Sequence, residues 1–412
     1  MADLQPLRTL RYDSSVAGPL EHLIAPPYDV IDDELRAELA ARSPYNVVHV
    51  DLPPSYEQAA TTMAQWRRKR VLVQEEELAV WVLRQEYNAP DGTARTRTGF
   101  LARVRVDEYG PGRIRPHERT HPGPREDRLK LTRATRANLS PIFSLFADTE
   151  GIAERAVADI SRGEPFATAG DDRLWRSSDP DQVAELQMAV ADEELLIADG
   201  HHRYETARAY AEEVGGEGEQ SYVLMFLCSL SDPGLLVFPT HRLLSGLAED
   251  RGKQEAIRAV LMRDFEIEEL TEPQELEPNS ESKGVAFGYM DSFHKKPYRV
   301  KLKDQSIADR ALDGMPAAYR RLDSAVLEAL VLREALGMSE DDISHLRGLD
   351  YSKSLDDAIE AVQSGRADAG FFMRGTPVAQ VREVAETGES MPPKSTYFFP
   401  KVPTGLVFNP LA

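Results

Sequence analysis

Cysteine, positive charge and long apolar runs are all scarce in this sequence. The one cysteine, Cys228, has no partner for an intrachain disulfide and lies in the apolar stretch 222–230, where we expect a small core residue. No apolar run approaches the roughly 20 residues that span a bilayer, and residues 1–11 lack the apolar segment of a signal peptide. We therefore expect a cytoplasmic protein that does not enter a membrane.

Acidic residues outnumber basic ones. The chain has 69 Asp and Glu and 49 Lys and Arg, which gives a formal net charge of −20. This excess of negative charge repels nucleic acids and anionic membranes, so we expect neither as a partner. The segment 113–136 runs against the trend, with eight basic and three acidic residues. A solvated helix face and a site for an anionic ligand are both compatible with this segment.

The common nucleotide-binding motifs are absent too, since the chain contains neither a Gly-x-x-x-x-Gly-Lys-[Ser/Thr] loop nor the protein-kinase signature set. A different phosphate signal begins with the apolar run 195–198. It is followed by a polar turn and a helical pattern, which predict a strand, a tight loop and a helix. Helix N-termini attract anions, and basic side chains there add charge-assisted donors. The turn consists of Asp199, Gly200, His201, His202 and Arg203.

Alternating strand and helix patterns predict a mixed α/β domain over residues 1–250 and a C-terminal α+β lobe over 251–412, with a boundary near 248–253. The lobe ends in a Pro-rich stretch, 391–401, which we expect to pack back on the site. Predicted strands of the first domain are 47–50, 78–83, 99–106, 142–146, 195–198, 222–227 and 235–238. Predicted helices are 56–70, 152–161 and 203–214, followed in the lobe by 323–336, 355–363 and 378–385.

A stiff turn near the start of the chain, residues 25–31, presents the carboxylate of Asp29 between proline and apolar residues. A helix cap and a general base are both open for Asp29, although Asp32 is better placed to cap the helix that follows. Between Pro116 and Pro122 a helix is disfavoured, so we expect an ordered loop there.

Five stretches stand out when they are taken in order: 25–31 (APPYDVI), 117–143 (HERTHPGPREDRLKLTRATRANLSPIF), 197–207 (IADGHHRYETA), 239–244 (PTHRLL) and 391–401 (MPPKSTYFFPK). With these stretches the chain resembles, over nearly its whole length, the prokaryotic family called domain of unknown function 1015.

The turn that starts at Asp199 also resembles the phosphate-gripping motif of the ParB and sulfiredoxin superfamily, which includes free-serine kinases that use ADP or ATP. This resemblance implies a ParB/sulfiredoxin-like core, with a substantial insertion between Asp29 and Asp199. It places Asp199 at Mg²⁺ or at the reacting hydroxyl, and Asp29 or Glu118 as the base. At the phosphates it places His201, His202 and Arg203.

We therefore expect a phosphotransferase that uses Mg²⁺ and moves a phosphoryl group between ATP or ADP and a small hydroxylated metabolite, with free serine as one candidate. Catalytic roles are assigned to Asp29, Glu118, Asp199 and His202, and the metal to Asp199. The expected phosphate or nucleotide contacts are Gly200, His201, His202, Arg203, His117, Arg119, Arg136, Asn138, His241, Arg242 and Lys394.

Two other functions stay open. The first is a metal-dependent phosphohydrolase, in which several of Asp199 and the histidines of the named motifs converge on one ion. The second is a regulator that binds a nucleotide without turning it over. A monomer and a homodimer are both compatible with the sequence. The histidines of the first alternative are His117, His121, His201, His202 and His241.

Overall fold

The computed structural model describes residues 2–89, 92–118, 122–279 and 282–411, apart from the side chains of Pro122, Pro124 and Ser344. The strands, numbered along the chain, are β1 (Leu4–Gln5), β2 (Leu10–Tyr12), β3 (Leu72–Gln74), β4 (Val80–Asn88), β5 (Ala94–Arg105), β6 (Ile114–Arg115), β7 (Ala137–Asn138), β8 (Ile142–Phe146), β9 (Ala167–Ala169), β10 (Asp172–Ser177), β11 (Leu195–Asp199), β12 (Tyr222–Ser229), β13 (Leu236–Phe238), β14 (His241–Leu244), β15 (Phe265–Glu269), β16 (Ala286–Asp291), β17 (Tyr298–Leu302), β18 (Leu349–Ser352), β19 (Ala369–Phe372), β20 (Tyr397–Phe399) and β21 (Asn409–Pro410).

Helices of very different length connect these strands. They are α1 (Ser14–Ala17), α2 (Asp33–Arg42), α3 (Val48–Asp51), α4 (Tyr56–Arg68), α5 (Pro122–Thr135), α6 (Ile152–Ile160), α7 (Pro180–Ala191), α8 (His201–Val214), α9 (Arg251–Asp264), α10 (Gln305–Ala311), α11 (Ala317–Arg320), α12 (Asp323–Leu327), α13 (Glu340–Ser344), α14 (Leu355–Gln363) and α15 (Val378–Glu386). None of the described helices is both long and apolar enough to cross a membrane.

The chain divides into two compact units. Unit 1 comprises Met1–Pro116, Thr120–Leu235 and Pro400–Ala412, and unit 2 comprises His117–Arg119 and Leu236–Phe399. The sequence placed a single division near residue 250. The structural division differs because β13 pairs with β20 inside unit 2, while β21 pairs with β7 inside unit 1.

Unit 1 is built on a mixed sheet, as the sequence predicted. Within its described residues the sheet has nine strands, in the order β6-β11-β8-β12-β5-β4-β10-β9, with β1 added beside β5. The pairs β6–β11 and β8–β12 are parallel and the other pairs are antiparallel. One face carries the main core, where strand residues such as Phe100 and Ile197 join Leu186 and Tyr204 of the covering helices.

Unit 2 contains an antiparallel sheet with the strand order β15-β17-β16-β19-β14-β18. Its core joins sheet residues such as Phe287 and Phe371 to apolar residues of α9 and α12. The helix predicted over 323–336 is α12 followed by a π-helical segment, Glu328–Ala335.

One predicted strand is wrong. Residues 47–50 carry β-branched valines, which favour a strand, yet they form most of the short helix α3. The side-chain oxygen of Asn46 accepts a hydrogen bond from the Val48 amide at 3.0 Å and so starts a helical turn. Burial of Val48, Val50 and Asp51 then stabilises that turn against the local preference.

The predicted strand, tight loop and helix around the polar turn are confirmed. Strand β11 ends at Asp199, Gly200 adopts a left-handed conformation with φ of 97°, and α8 begins at His201. Helix α8 packs through Tyr204 and Ala207 against the core of unit 1. The polar turn therefore sits at the end of β11, the second strand from one edge of the sheet, and at the N-terminus of a 14-residue helix.

Candidate functional site

Asp199 lies at the centre of a buried group of charges in unit 1. Its Oδ2 accepts a hydrogen bond from Nη2 of Arg203 at 2.6 Å, and its Oδ1 accepts one from Nζ of Lys401. Burial alone raises the pKa of Asp199, but the charges of Lys401 and Arg203 outweigh it and hold the pKa below its ordinary value. The carboxylate is therefore ionised and bridges two cations, each with a side chain only 12–13% exposed.

The guanidinium group of Arg203 is fixed from two sides. Its Nη1 donates to Oγ of Ser140 at 2.6 Å and to the carbonyl of Pro141, while Nη2 donates to Asp199. Three of its five N–H groups are thus engaged by residues that the structure describes. The two remaining N–H groups of Arg203 can donate to an anion. Arg203 lies in the first turn of α8, where the helix dipole favours an anion as well.

Gly200 allows Arg203 to pack across the turn. A Cβ atom added at this glycine would lie 3.0 Å from Cζ and Nε of Arg203, and the φ of 97° disfavours any side chain. The glycine therefore serves both the backbone turn and the placement of the guanidinium group.

The variant Gly200→Ala is expected to weaken the ADP binding that the sequence predicts for this turn by more than its loss of stability explains. The left-handed backbone costs an alanine about 1–2 kcal/mol, and the new methyl group also displaces Arg203. Gly215→Ala is the matched control, because this glycine at the other end of α8 has φ of 69° and its added Cβ would meet no described atom within 4 Å. Titration calorimetry with ADP and thermal melting compare the two variants. Equal ADP affinity in both would contradict this role for Gly200.

A small cavity of about 50 Å³ adjoins Arg203 within unit 1. The ring of Tyr28 stacks beneath the Arg128 guanidinium, with 4.3 Å from Cζ to the ring centroid. Burial raises the pKa of the Tyr28 hydroxyl to about 12, so it stays protonated at neutral pH. The cavity is lined by Tyr28, Asp51, Arg128, Leu131, Thr132, Ala137, Asn138, Leu139, Ser140, Arg203, Thr206, Ala207 and Val223.

The carboxyl group of Asp51 is the acidic member of this lining. Asp51 is 4% exposed, and its Oδ1 accepts a hydrogen bond from Nη1 of Arg128 at 3.1 Å. Within the described parts of the chain, its buried Oδ2 has no hydrogen-bond partner. Burial raises the pKa of Asp51, and the charges of Arg128 and Arg203 offset only part of that effect.

The other residues of unit 1 that were predicted for this site differ in their exposure and in their contacts. Asp29 is exposed, in the 3₁₀ turn Tyr28–Val30. Asn138 lines the cavity, where its Oδ1 accepts hydrogen bonds from the backbone of β12 and from Asn409. Arg136 is exposed beyond the C-terminus of α5. In the first turn of α8, His201 is buried and His202 is half-buried.

Other predicted residues belong to unit 2. Nε2 of His117 lies 2.8 Å from the Thr396 hydroxyl. Nδ1 of His241 accepts a hydrogen bond from the Met373 amide, and burial lowers the pKa of this histidine to about 4, which keeps it neutral. Arg242 is buried and donates to the carbonyl of Lys394 at 3.4 Å, whereas the Lys394 side chain is exposed.

Glu118, also in unit 2, is half-buried. Arg119 and His121 lie outside the described residues. All these assignments stay predictions.

Sequence reasoning missed Lys401, Asp51 and Arg128. Lys401 is the last residue of the quoted stretch 391–401, in which Lys394 was preferred because rigid prolines precede it. Arg128 belongs to the basic segment 113–136, but no local pattern separates it from the other arginines there. Asp51 follows a stretch that the sequence predicts to be a strand, and nothing in the sequence marks it as buried.

Asp199 offers no unoccupied carboxylate oxygen to the expected Mg²⁺ ion. Both oxygens of Asp199 already accept hydrogen bonds from cationic side chains. Among the described residues, no group of three or more His, Cys, Asp or Glu side chains is placed to hold a metal ion. The metal role of Asp199 stays a prediction.

The family model described as "Protein of unknown function (DUF1015)" matches residues 4–325. The chain belongs to this family. The membership that the five stretches predicted is thereby confirmed. No curated protein matches the chain.

Three solved structures are similar to this DUF1015 protein, and each covers 74% of its chain. A conserved hypothetical protein from Pyrococcus furiosus is 16% identical, with 93% of its own length covered and a TM-score of 0.37. A free serine kinase in complex with AMP is 15% identical, with 91% covered and a TM-score of 0.38. SbnI with a C-terminal truncation, from Staphylococcus aureus, is 13% identical, with 87% covered and a TM-score of 0.37.

Proposed function

We propose that this protein is a small-molecule phosphotransferase that binds the phosphates of ATP or ADP at the start of α8. The observation that carries the proposal is the fixed guanidinium group of Arg203. It is held by Asp199, Ser140 and Pro141, it keeps two N–H donors, and it lies in the first turn of a long helix. A bidentate donor at a helix N-terminus matches the geometry of a phosphate group.

Phosphoryl transfer depends mainly on positioning and on positive charge around the transferred group. Arg203 and Lys401 supply two cations, and Asp199 holds both in place. In this proposal the carboxylate of Asp199 organises the cations. The same proposal includes a ParB/sulfiredoxin-like core, to which β11, the polar turn and α8 belong. His202, Asp29 and Glu118 are the other catalytic groups that the sequence predicts, and Asp29 and Glu118 are its two candidates for the base.

The acceptor in this proposal is a small hydroxylated metabolite, with free serine as the first candidate. The cavity beside Arg203 has room for a small group only, since about 50 Å³ corresponds to one or two water molecules. A hydroxymethyl group is of that size. The metal-dependent hydrolase lacks a comparable observation, because the described residues contain no metal-binding cluster.

Incubation of the full chain with ATP or ADP, MgCl₂ and L-serine is expected to produce a phosphomonoester, detected by ³¹P NMR. In parallel, the melting temperature is expected to rise when ATP or ADP is added. A ligand at 100 times its dissociation constant stabilises the folded state by about 2.7 kcal/mol. L-Alanine, which lacks the hydroxyl group, is the control acceptor. Stabilisation by Zn²⁺ alone, with no response to any nucleotide, would favour the hydrolase instead.

A further inference from the structure

The carboxylate of Asp51 has one oxygen that accepts no hydrogen bond from the described residues. Its Oδ2 is buried and without a hydrogen-bond partner, while its Oδ1 is held by Arg128 at 3.1 Å. A buried acceptor left unsatisfied destabilises the folded protein, and nearly all such groups in proteins find a donor. The site around Asp51 is therefore suited to a ligand that brings a hydrogen-bond donor.

The surroundings of Asp51 indicate which donor fits. The carboxyl group shares the 50 Å³ cavity with Arg203, the same cation that the proposed function places at the phosphates. Two arginines line the cavity, and they disfavour an ammonium group. A neutral hydroxyl group, by contrast, can donate to Asp51 while its oxygen faces a phosphate held by Arg203.

We propose that Asp51 is the general base of the phosphoryl transfer, and that the cavity beside it receives the hydroxyl group of the acceptor. This inference rests on the proposed function and deepens it by naming the acceptor subsite. In the reaction, the acceptor oxygen forms a bond to the terminal phosphorus of the nucleotide while the bond to the bridging oxygen breaks. The leaving nucleotide keeps that electron pair, and the hydroxyl proton moves to Oδ2 of Asp51.

Asp51 suits this task better than Asp29. Asp29 is exposed and absent from the cavity lining, whereas Asp51 is buried in it. Burial also raises the pKa of Asp51, which makes its carboxylate a stronger base than an exposed one. The charged and titratable groups that face Asp51 are Arg128 and Asp127 of α5, Arg203 of α8, and Tyr28 and Asp29 of the 3₁₀ turn.

The test compares Asp51→Asn with Asp127→Asn in the full chain. Asn retains the shape of Asp51 and an oxygen for Arg128, but it cannot accept the proton. Asp127 also pairs with Arg128, at 2.6 Å, yet it does not line the cavity, so its variant is the matched control. Calorimetry with ADP measures nucleotide binding. ³¹P NMR measures phosphoryl transfer from ATP or ADP to L-serine, L-homoserine and glycerol.

Asp51→Asn is expected to bind ADP within about threefold of wild type and to lose about 100-fold or more of the transfer rate, the usual contribution of a general base. Asp127→Asn is expected to keep the rate within about fivefold. Transfer by Asp51→Asn within tenfold of wild type would overturn Asp51 as the base and leave the proposed function intact. A wild-type protein that neither binds ADP nor phosphorylates any of the three alcohols would overturn the proposed function and this inference together.

A second measurement applies even where Asp51→Asn does not fold. The transfer rate of the wild-type chain is expected to fall as the pH drops through the raised pKa of Asp51, because the base must be deprotonated. Asp29→Asn is expected to show the same acidic limb. Loss of that limb in Asp29→Asn would assign the base to Asp29 and overturn the inference.

Discussion

Replacing Asp199 by asparagine is expected to lower the free energy of unfolding of unit 1 by about 3–5 kcal/mol at pH 7, the usual cost of removing one partner from a buried ion pair. The carboxylate is 13% exposed and bridges Arg203 and Lys401, so its loss removes a shared counter-charge from two largely buried cations. Urea denaturation followed by tryptophan fluorescence measures the effect, because all three tryptophans lie in unit 1.

Asp107→Asn is the control for this prediction. Asp107 pairs with Arg113 at 3.0 Å, but both side chains are more than 40% exposed. Exposed pairs contribute little, so this variant is expected to change the unfolding free energy by less than ~1 kcal/mol. Equal urea midpoints for the Asp107 and Asp199 variants would show that the buried triad does not stabilise unit 1.

The same carboxylate gives the wild-type protein a defined response to acid. The pKa of Asp199 is lower in the folded chain than its ordinary value of 3.8. Its contribution to stability is therefore fully present above pH 3.8 and is lost as the pH falls from there through the folded-state pKa. In Asp199→Asn this part of the acid sensitivity is expected to be absent.

Replacing Arg203 by lysine is expected to weaken ADP binding by about 100-fold or more. Lysine keeps the positive charge but loses the planar fork that offers two N–H groups to a phosphate. Each hydrogen bond to a charged group contributes about 1.5–3 kcal/mol, and 1.4 kcal/mol is a tenfold change in affinity. Titration calorimetry of the full chain with ADP measures the loss.

Arg208→Lys on the same helix is the comparison for Arg203→Lys. Arg208 packs over the ring of Tyr109 and lies 3.4 Å from Glu205, outside the cavity lining. Its variant is expected to bind ADP as wild type does. Wild-type affinity in both variants would show that phosphates do not bind at Arg203, and the proposed site would be wrong.

Much of the fold of unit 1 is predictable because its signals are local. The apolar runs that become β8, β11 and β12 are long enough to indicate buried strands, and the glycine after Asp199 indicates the turn. The failure at α3 has a physical cause, because a capping side chain and burial overrode the β preference of its valines. Local preference decides a segment only where tertiary contacts do not compete with it.

The candidate site is only half predictable for a related reason. Asp199, Gly200 and Arg203 are neighbours in sequence, so one motif reveals them together. Lys401 joins Asp199 across 202 positions, and Asp51 joins Arg128 across 77. A single sequence carries no record of such pairings, since each of these residues alone looks like any other surface charge.

The distance along the chain between Asp199 and Lys401 also has a consequence for biosynthesis. A ribosome adds about 5–20 residues per second, so Lys401 emerges roughly 10–40 s after Asp199. Arg203 is synthesised four residues after Asp199, but Lys401 is synthesised only after the whole of unit 2 has been translated. A nascent chain therefore passes through a stage in which every strand of the nine-stranded sheet has been synthesised while Lys401 has not.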